Sequence, residues 1–293
     1  MESSSLLTVF LPVALAVVML GLGLSLTKAD FARVLSSPRA VVIALVCQVL
    51  VLPVICLGLV LAFDLAPELA VGMMLLAASP GGTTANLYSH LAGGDVALNI
   101  SLTAVNSAIS VITMPLVVNL SINHFMGSDD SLGLQVKELA QVFAIVLVPV
   151  IVGMVVKHRR PAFAERMNRP VRITSGVLLA FLIVGAVLKE RENFVEFFSD
   201  LGPIALVFSV LSLTIGYWVP RALGVGRRQA IATGMEIGIH NSTLAIAIAL
   251  SPSLLDNSTM AISPAVYAIV AFVTAGVFGY TVSRRRQPAV ATA

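Results

Sequence analysis

Glu236 is a carboxylate within residues 230–250, a stretch otherwise free of charge and long enough to cross a bilayer, and Gly238, His240 and Asn241 follow it closely. An ionisable side chain at membrane depth costs about 2.5 to 3.5 kcal/mol or more to place, so it is read as part of an ion or substrate pathway with a partner nearby. A second apolar stretch holds Ser79-Pro80-Gly81-Gly82-Thr83-Thr84-Ala85-Asn86 at its middle. Proline lacks a backbone donor and glycine disfavours helix, so the chain is expected to unwind there. Freed carbonyls can bind a hard cation, and the N-termini of half-helices attract anionic groups. The chemistry these residues point to is recognition of ions, with Glu236 supplying the formal charge.

The elements that carry them are membrane helices. Hydrophobic residues make up 58% of the 293 and charged residues 11%, with a mean hydropathy of +0.97. Such values belong to an all-α polytopic membrane protein. A span needs about 20 apolar residues, and nine are expected, at roughly 5–26, 40–62, 68–92, 96–120, 137–156, 172–188, 203–220, 230–250 and 262–283. The first lacks a positive n-region and outruns a signal-peptide core, so it is read as a retained span. The loops between spans are too short for a separate soluble domain. Cys47 and Cys56 share one span with no metal-ligand spacing and are read as packing residues.

Fifteen of the 18 Lys and Arg fall on one face: Lys28, Arg33, Arg39, Lys157, Arg159, Arg160, Arg166, Arg169, Arg172, Arg221, Arg227, Arg228, Arg284, Arg285 and Arg286. That face is cytoplasmic by the positive-inside rule. The N-terminus is then outside and the C-terminus inside, and the formal charge of +3 reflects this bias with no need for nucleic acid.

The third span runs outside to inside and the eighth inside to outside, five spans apart. Their polar interruptions therefore occupy matching positions in halves of opposite topology, 1–133 with four spans and 134–293 with five. Broken helices so placed mark the binding site of an inverted-repeat secondary transporter.

Gln48 five residues before Pro53, the break from Pro80 to Asn86, the polar stretch 99–103 and the run Glu236-Ile237-Gly238-Ile239-His240-Asn241 together resemble the bile acid:sodium symporter family, along essentially the whole chain. The resemblance is to its nine-helix form. It implies a core domain in which two discontinuous helices cross, a panel domain, and transport by alternating access. One sodium ion would be held by Asn86, Asn99, Thr103 and Glu236. Ala85 stands where the family commonly has serine, and Asn99 would supply the missing oxygen. A second sodium would be held by Gln48, Glu236, the backbone oxygens of Ile237 and Ile239, and residue 240. Here His240 replaces the usual glutamine and offers ring nitrogen in place of an oxygen. Substrate would lie near Thr83, Asn241 and Ser242, and Phe272 and Val273 give the crevice an apolar lining.

The implied function is sodium-coupled symport of an organic anion, bile-acid-like or a small carboxylate, into the cytoplasm. Short loops point to a bacterial inner membrane. A proton-coupled carrier using Glu236 and His240 is the nearest rival, and sodium independence with strong pH dependence would mark it. An intramembrane enzyme is a poorer match: there is no His-Glu-x-x-His motif, and His240 and Ser242 would face apart on a continuous helix. A passive channel would need neither matched breaks nor a buried acid. Pro53, Pro115, Pro149, Pro220 and Pro264 are read as kinks or helix ends, and His90, His124 and His158 as solvated groups near span ends.

Overall fold

The computed structural model describes residues 13, 16–17, 19–21, 23–127, 136–167, 169–171, 173–174, 177, 184, 194–251 and 254–284. The expected span at 5–26 is described in part, and that at 172–188 lies almost wholly outside the described residues. Among the described residues the regular structure is helical, apart from one antiparallel bridge between Gly81 and His240. The elements used below are α1 (Lys28–Arg33), α2 (Pro38–Val46), α3 (Leu52–Ala62), α4 (Pro67–Ala78), α5 (Thr83–Leu91), α6 (Val96–Phe125), α7 (Val136–Arg159), α8 (Phe194–Ala222), α9 (Arg227–Gly238), α10 (Ser242–Leu250) and α11 (Ser258–Arg284).

Pro38–Ala62, Val96–Phe125, Phe197–Ala222 and Ser258–Ser283 are each long and apolar enough to cross a bilayer. The expected spans at 68–92 and 230–250 are each two short helices instead. The first breaks between Ala78 and Thr83, the second between Gly238 and Ser242.

Between α2 and α3, residues Cys47–Val51 widen into a π turn, in which the Leu52 N–H reaches back to the Cys47 carbonyl. Pro53 explains the widening. It has no N–H for the Val49 carbonyl and its ring crowds that oxygen, and inserting one residue relieves the clash.

The core sits around α4, α9 and α10, which neighbours surround: α4 and α10 are apolar nearly all round, and α9 is apolar apart from its first turn, Thr233 and Glu236. Every residue from Leu69 to Ala78 is buried, as is every residue from Ala230 to Gly238. α8 approaches α9 backbone to backbone: a Cβ on Gly216 would lie 2.9 Å from the Gly234 Cα. Small residues permit that approach, and the Thr233 hydroxyl donates to the Gly216 carbonyl at 2.7 Å across the same contact. α11 closes on α4, with the Ser263 hydroxyl donating to Leu69 O at 2.8 Å. α6 begins at Asp95, which caps the Leu98 N–H at 3.1 Å, while the Asp95 N–H donates to Arg228 O at 2.9 Å. That bond ties the start of α6 to the start of α9, so the two helices run side by side past Glu236. His90, His124 and His158 are exposed, as expected.

Candidate functional site

The two helix breaks meet. Gly82 N–H donates to Ile239 O at 2.9 Å and Asn241 N–H donates to Pro80 O at 2.8 Å, so the interrupted strands of chain pair antiparallel. Each break satisfies backbone groups the other leaves free, which is how irregular backbone persists at membrane depth. The C-terminal ends of α4 and α9 and the N-terminal ends of α5 and α10 consequently converge on one place. The former are partially negative and the latter partially positive.

Glu236 lies in the last turn of α9, fully buried. A carboxylate at a helix C-terminus opposes the helix dipole, so other groups must hold it. α6 provides them. Thr103 Oγ1 donates to Glu236 Oε2 at 2.6 Å, Asn99 Nδ2 to the same oxygen at 3.3 Å, and Asn106 Nδ2 to Oε1 at 3.3 Å. Asn99 Nδ2 also reaches Ala232 O at 3.0 Å. On the far side the carboxylate lies against Gly81, where a Cβ would overlap it.

This arrangement consumes the hydrogens and leaves oxygens over. Asn86 Oδ1, Asn99 Oδ1, Asn106 Oδ1 and Gln48 Oε1 are buried without a hydrogen-bond partner. Orphaned acceptors of this kind are uncommon and call for an occupant. Several unpaired oxygens beside one carboxylate suit a hard monovalent cation, which takes oxygen ligands and supplies the missing charge.

Of the residues expected for the first ion, Asn99, Thr103 and Glu236 are brought into direct contact. Asn86 sits on α5, which packs against both α6 and α9, with its side-chain oxygen buried and unpartnered. For the second, Gln48 projects from the π turn and donates to Ser79 O at 2.9 Å and Ala77 O at 3.3 Å. Gln48 Nε2 lies 3.4 Å from His240 Nδ1, which is itself 3.4 Å from Ser79 O. The His240 ring stacks on Phe208 at 5.4 Å and meets the edge of Tyr267 at 5.5 Å. Ile237 and Ile239 are buried at the α9 terminus, and the Ile239 carbonyl accepts the Gly82 N–H.

Asn241 caps α10, its Oδ1 accepting the Leu244 N–H at 3.0 Å. Ser242 opens that helix and Thr83 opens α5; the Thr83 side chain lies outside the described residues. Gly82 faces the His240 carbonyl and the Asn241 Cα, so the two positive helix ends are neighbours. His240 and Ser242 flank the break and do not share a continuous helix, so the helix-phase argument against an enzyme does not apply at this position. Asn106 was not among the residues expected from sequence, although it extends the 99–103 stripe by one helical step.

A comparison with family models matches residues 12–197 to the Sodium Bile acid symporter family. The chain belongs to that family. Its members are transporters, so this family member is a membrane transport protein and not an enzyme. It is 26% identical to the uncharacterized sodium-dependent transporter YocS of Bacillus subtilis (strain 168), over 84% of this chain and 74% of the relative. It is 26% identical to the ileal sodium/bile acid cotransporter of Oryctolagus cuniculus, over 94% of this chain and 79% of that protein. A probable sodium/metabolite cotransporter of rice chloroplasts, BASS2, is 27% identical over 81% of this chain, which spans 55% of that relative's length.

Proposed function

We propose that this protein is a sodium-coupled symporter that carries an organic anion into the cytoplasm by alternating access. The observation that carries the reading is the buried Glu236 at the C-terminal end of a half-helix, ringed by Asn99, Thr103 and Asn106, whose hydrogens hold it while unpartnered oxygens remain nearby. One sodium ion would sit on Asn86, Asn99, Thr103 and Glu236. A second would sit between Gln48, Glu236 and the 237 and 239 carbonyls, with His240 alongside. The anion would bind at the paired N-termini of α5 and α10, near Thr83, Asn241 and Ser242. Relatives named as sodium/bile acid and sodium/metabolite cotransporters support a bile-acid-like molecule or a small carboxylate as cargo.

Coupling follows from the shared location. Sodium neutralises Glu236 and draws the oxygens of α5, α6 and α9 together, which fixes the crossing in the form that presents two positive helix ends to the anion. Each ligand then raises the other's affinity by favouring the same state. In this reading the halves 1–133 and 134–293 are inverted repeats, a core domain carries the crossing, and a panel domain moves relative to it.

The proton-coupled alternative needs Glu236 and His240 in a relay. His240 instead meets Gln48, Ser79, Phe208 and Tyr267, and the side-chain donors to Glu236 come from α6, which favours sodium. The deciding experiment is thermal stability of the purified protein, titrated with sodium against potassium at constant ionic strength, for wild type and Glu236→Ala. A bound ion stabilises the folded state by mass action. Sodium-specific stabilisation lost in the variant is expected. Its absence from a folded wild type would overturn the sodium reading and move the titration to pH.

A further inference from the structure

Beside the Glu236 cluster is a cavity of about 10 Å³ between the π turn, the first break and α6, lined by Gln48, Pro80, Asn106, Ser110 and Thr113 among others. A volume of that order holds one water-sized occupant. The hydrogen bonds already made by the lining show what it offers an occupant. The Gln48 amide hydrogens go to Ser79 O and Ala77 O. Asn106 donates to Glu236. The Ser110 hydroxyl donates to Ser107 O at 3.0 Å and that of Thr113 to Ile109 O at 3.3 Å, both within α6.

What the polar lining keeps available is lone pairs. Gln48 Oε1 and Asn106 Oδ1 have no partner, and both side chains are nearly inaccessible, at 3% and 2% exposure. The Ser110 and Thr113 hydroxyls have spent their single hydrogen and retain acceptor capacity. Free acceptors repel an anion and attract a cation or a donating water, and the Glu236 carboxylate one residue away through Asn106 favours the cation.

The cavity also has a direction. Asn99, Thr103, Asn106, Ser110 and Thr113 recur at helical spacing along one face of α6. Burial loosens along this stripe: Asn106 and Ser110 are buried, Thr113 only half-buried. The stripe leads from Glu236 toward the Phe125 end of the helix, the outer end by the basic-residue bias.

We propose that this cavity is a cation site of its own, taking one dehydrated sodium ion on Gln48, Asn106, Ser110 and Thr113 on the outer side of Glu236. The site rests on the sodium reading above and deepens it with Ser110 and Thr113 of α6, which that reading did not use. Gln48 Oε1 is common to this site and to the second ion proposed above; the cavity takes its other oxygens from α6, whereas that ion takes them from the α9 terminus.

The test is the sodium titration of thermal stability applied to Ser110→Ala, Thr113→Val and the double variant, none of which touches Glu236. The expected result is an unchanged melting temperature without sodium, a sodium midpoint raised about fivefold or more in the double variant, and a shallower sodium dependence. A wild type that responds to sodium with a double variant that superimposes on it would overturn this site and leave the proposed function standing. A wild type indifferent to sodium would overturn both. If the variants fail to fold, thallium(I) soaked into crystals of the wild type decides: an anomalous peak between Gln48 and Asn106 is expected, and density confined to Glu236 and Asn99 would overturn the site.

Discussion

Gly81 and Glu236 fit together only because position 81 has no side chain: a Cβ there would occupy the space of the Glu236 carboxylate. The glycine belongs to one broken helix and the acid to the other, so this contact sets how closely the breaks approach. It links a sequence feature, the Pro-Gly-Gly run, to the placement of the formal charge that Glu236 brings to the crossing.

Replacing Gly81 by Ala is therefore expected to crowd the carboxylate against Thr103 and Asn106 or to part the bridge. Overpacking of this kind costs about 1 to 3 kcal/mol. The sodium midpoint for thermal stabilisation should rise about tenfold or more. Gly82→Ala is the milder comparison, since a Cβ there meets Thr84 Oγ1 at 3.3 Å and His240 O at 3.6 Å. A Gly81→Ala protein with a wild-type sodium titration would count against the crossing as the ion site.

Thr103 makes the shortest contact to Glu236, at 2.6 Å. Thr103→Val keeps the shape and removes the hydroxyl. A hydrogen bond to a charged group is worth about 1.5 to 3 kcal/mol, so the variant should be less stable and should bind sodium more weakly, while the proposed anion site at the α10 terminus keeps its residues unchanged. Calorimetric unfolding with and without sodium measures both effects, and equal stability in the two proteins would remove Thr103 from the clamp.

Much of this site was legible before the structure. Glu236 stood out because nothing else in its span carries charge, and Pro80-Gly81-Gly82 announced a break because proline and glycine act on the local backbone. The second break was harder. Gly238 remains helical, and the chain departs only at Ile239, where pairing with Gly82 and Pro80 replaces the helical bonds. That departure is imposed from across the crossing and leaves a faint local trace. Asn106 was missed although Asn99 and Thr103 already marked its helix face, and one more turn of the same spacing reaches it. The π turn at Gln48 depends on how Pro53 is accommodated within a long helix, and a proline alone does not specify that.

His240 tests whether the second ion survives in this chain. His240→Gln supplies an amide oxygen where a ring nitrogen now faces Gln48, at the loss of the stack on Phe208, worth about 0.5 to 1.5 kcal/mol. The variant should show a steeper sodium dependence of uptake into proteoliposomes, at slightly lower thermal stability. A Hill slope identical to that of the wild type would argue that residue 240 does not contribute to ion binding.

Asn241 separates the anion from the ions. Its Oδ1 caps α10 through the Leu244 N–H at 3.0 Å, and its remaining amide hydrogens are the part free to meet a carboxylate or sulfate. Asn241→Asp preserves the cap, because aspartate serves as well as asparagine at that position, and places a negative charge where the proposed substrate carries its own. Two anions cannot share the positive helix ends at low cost, whereas a cation nearby is favoured by the added charge. The sodium midpoint should stay the same or fall, while the apparent affinity for an organic anion such as taurocholate or pantoate should drop about tenfold or more. Asn241→Ala gives the complementary case, in which the lost cap costs about 1 kcal/mol of stability without introducing repulsion. Parallel loss of sodium and anion binding in Asn241→Asp would place this residue among the ion ligands and move the substrate elsewhere in the crevice.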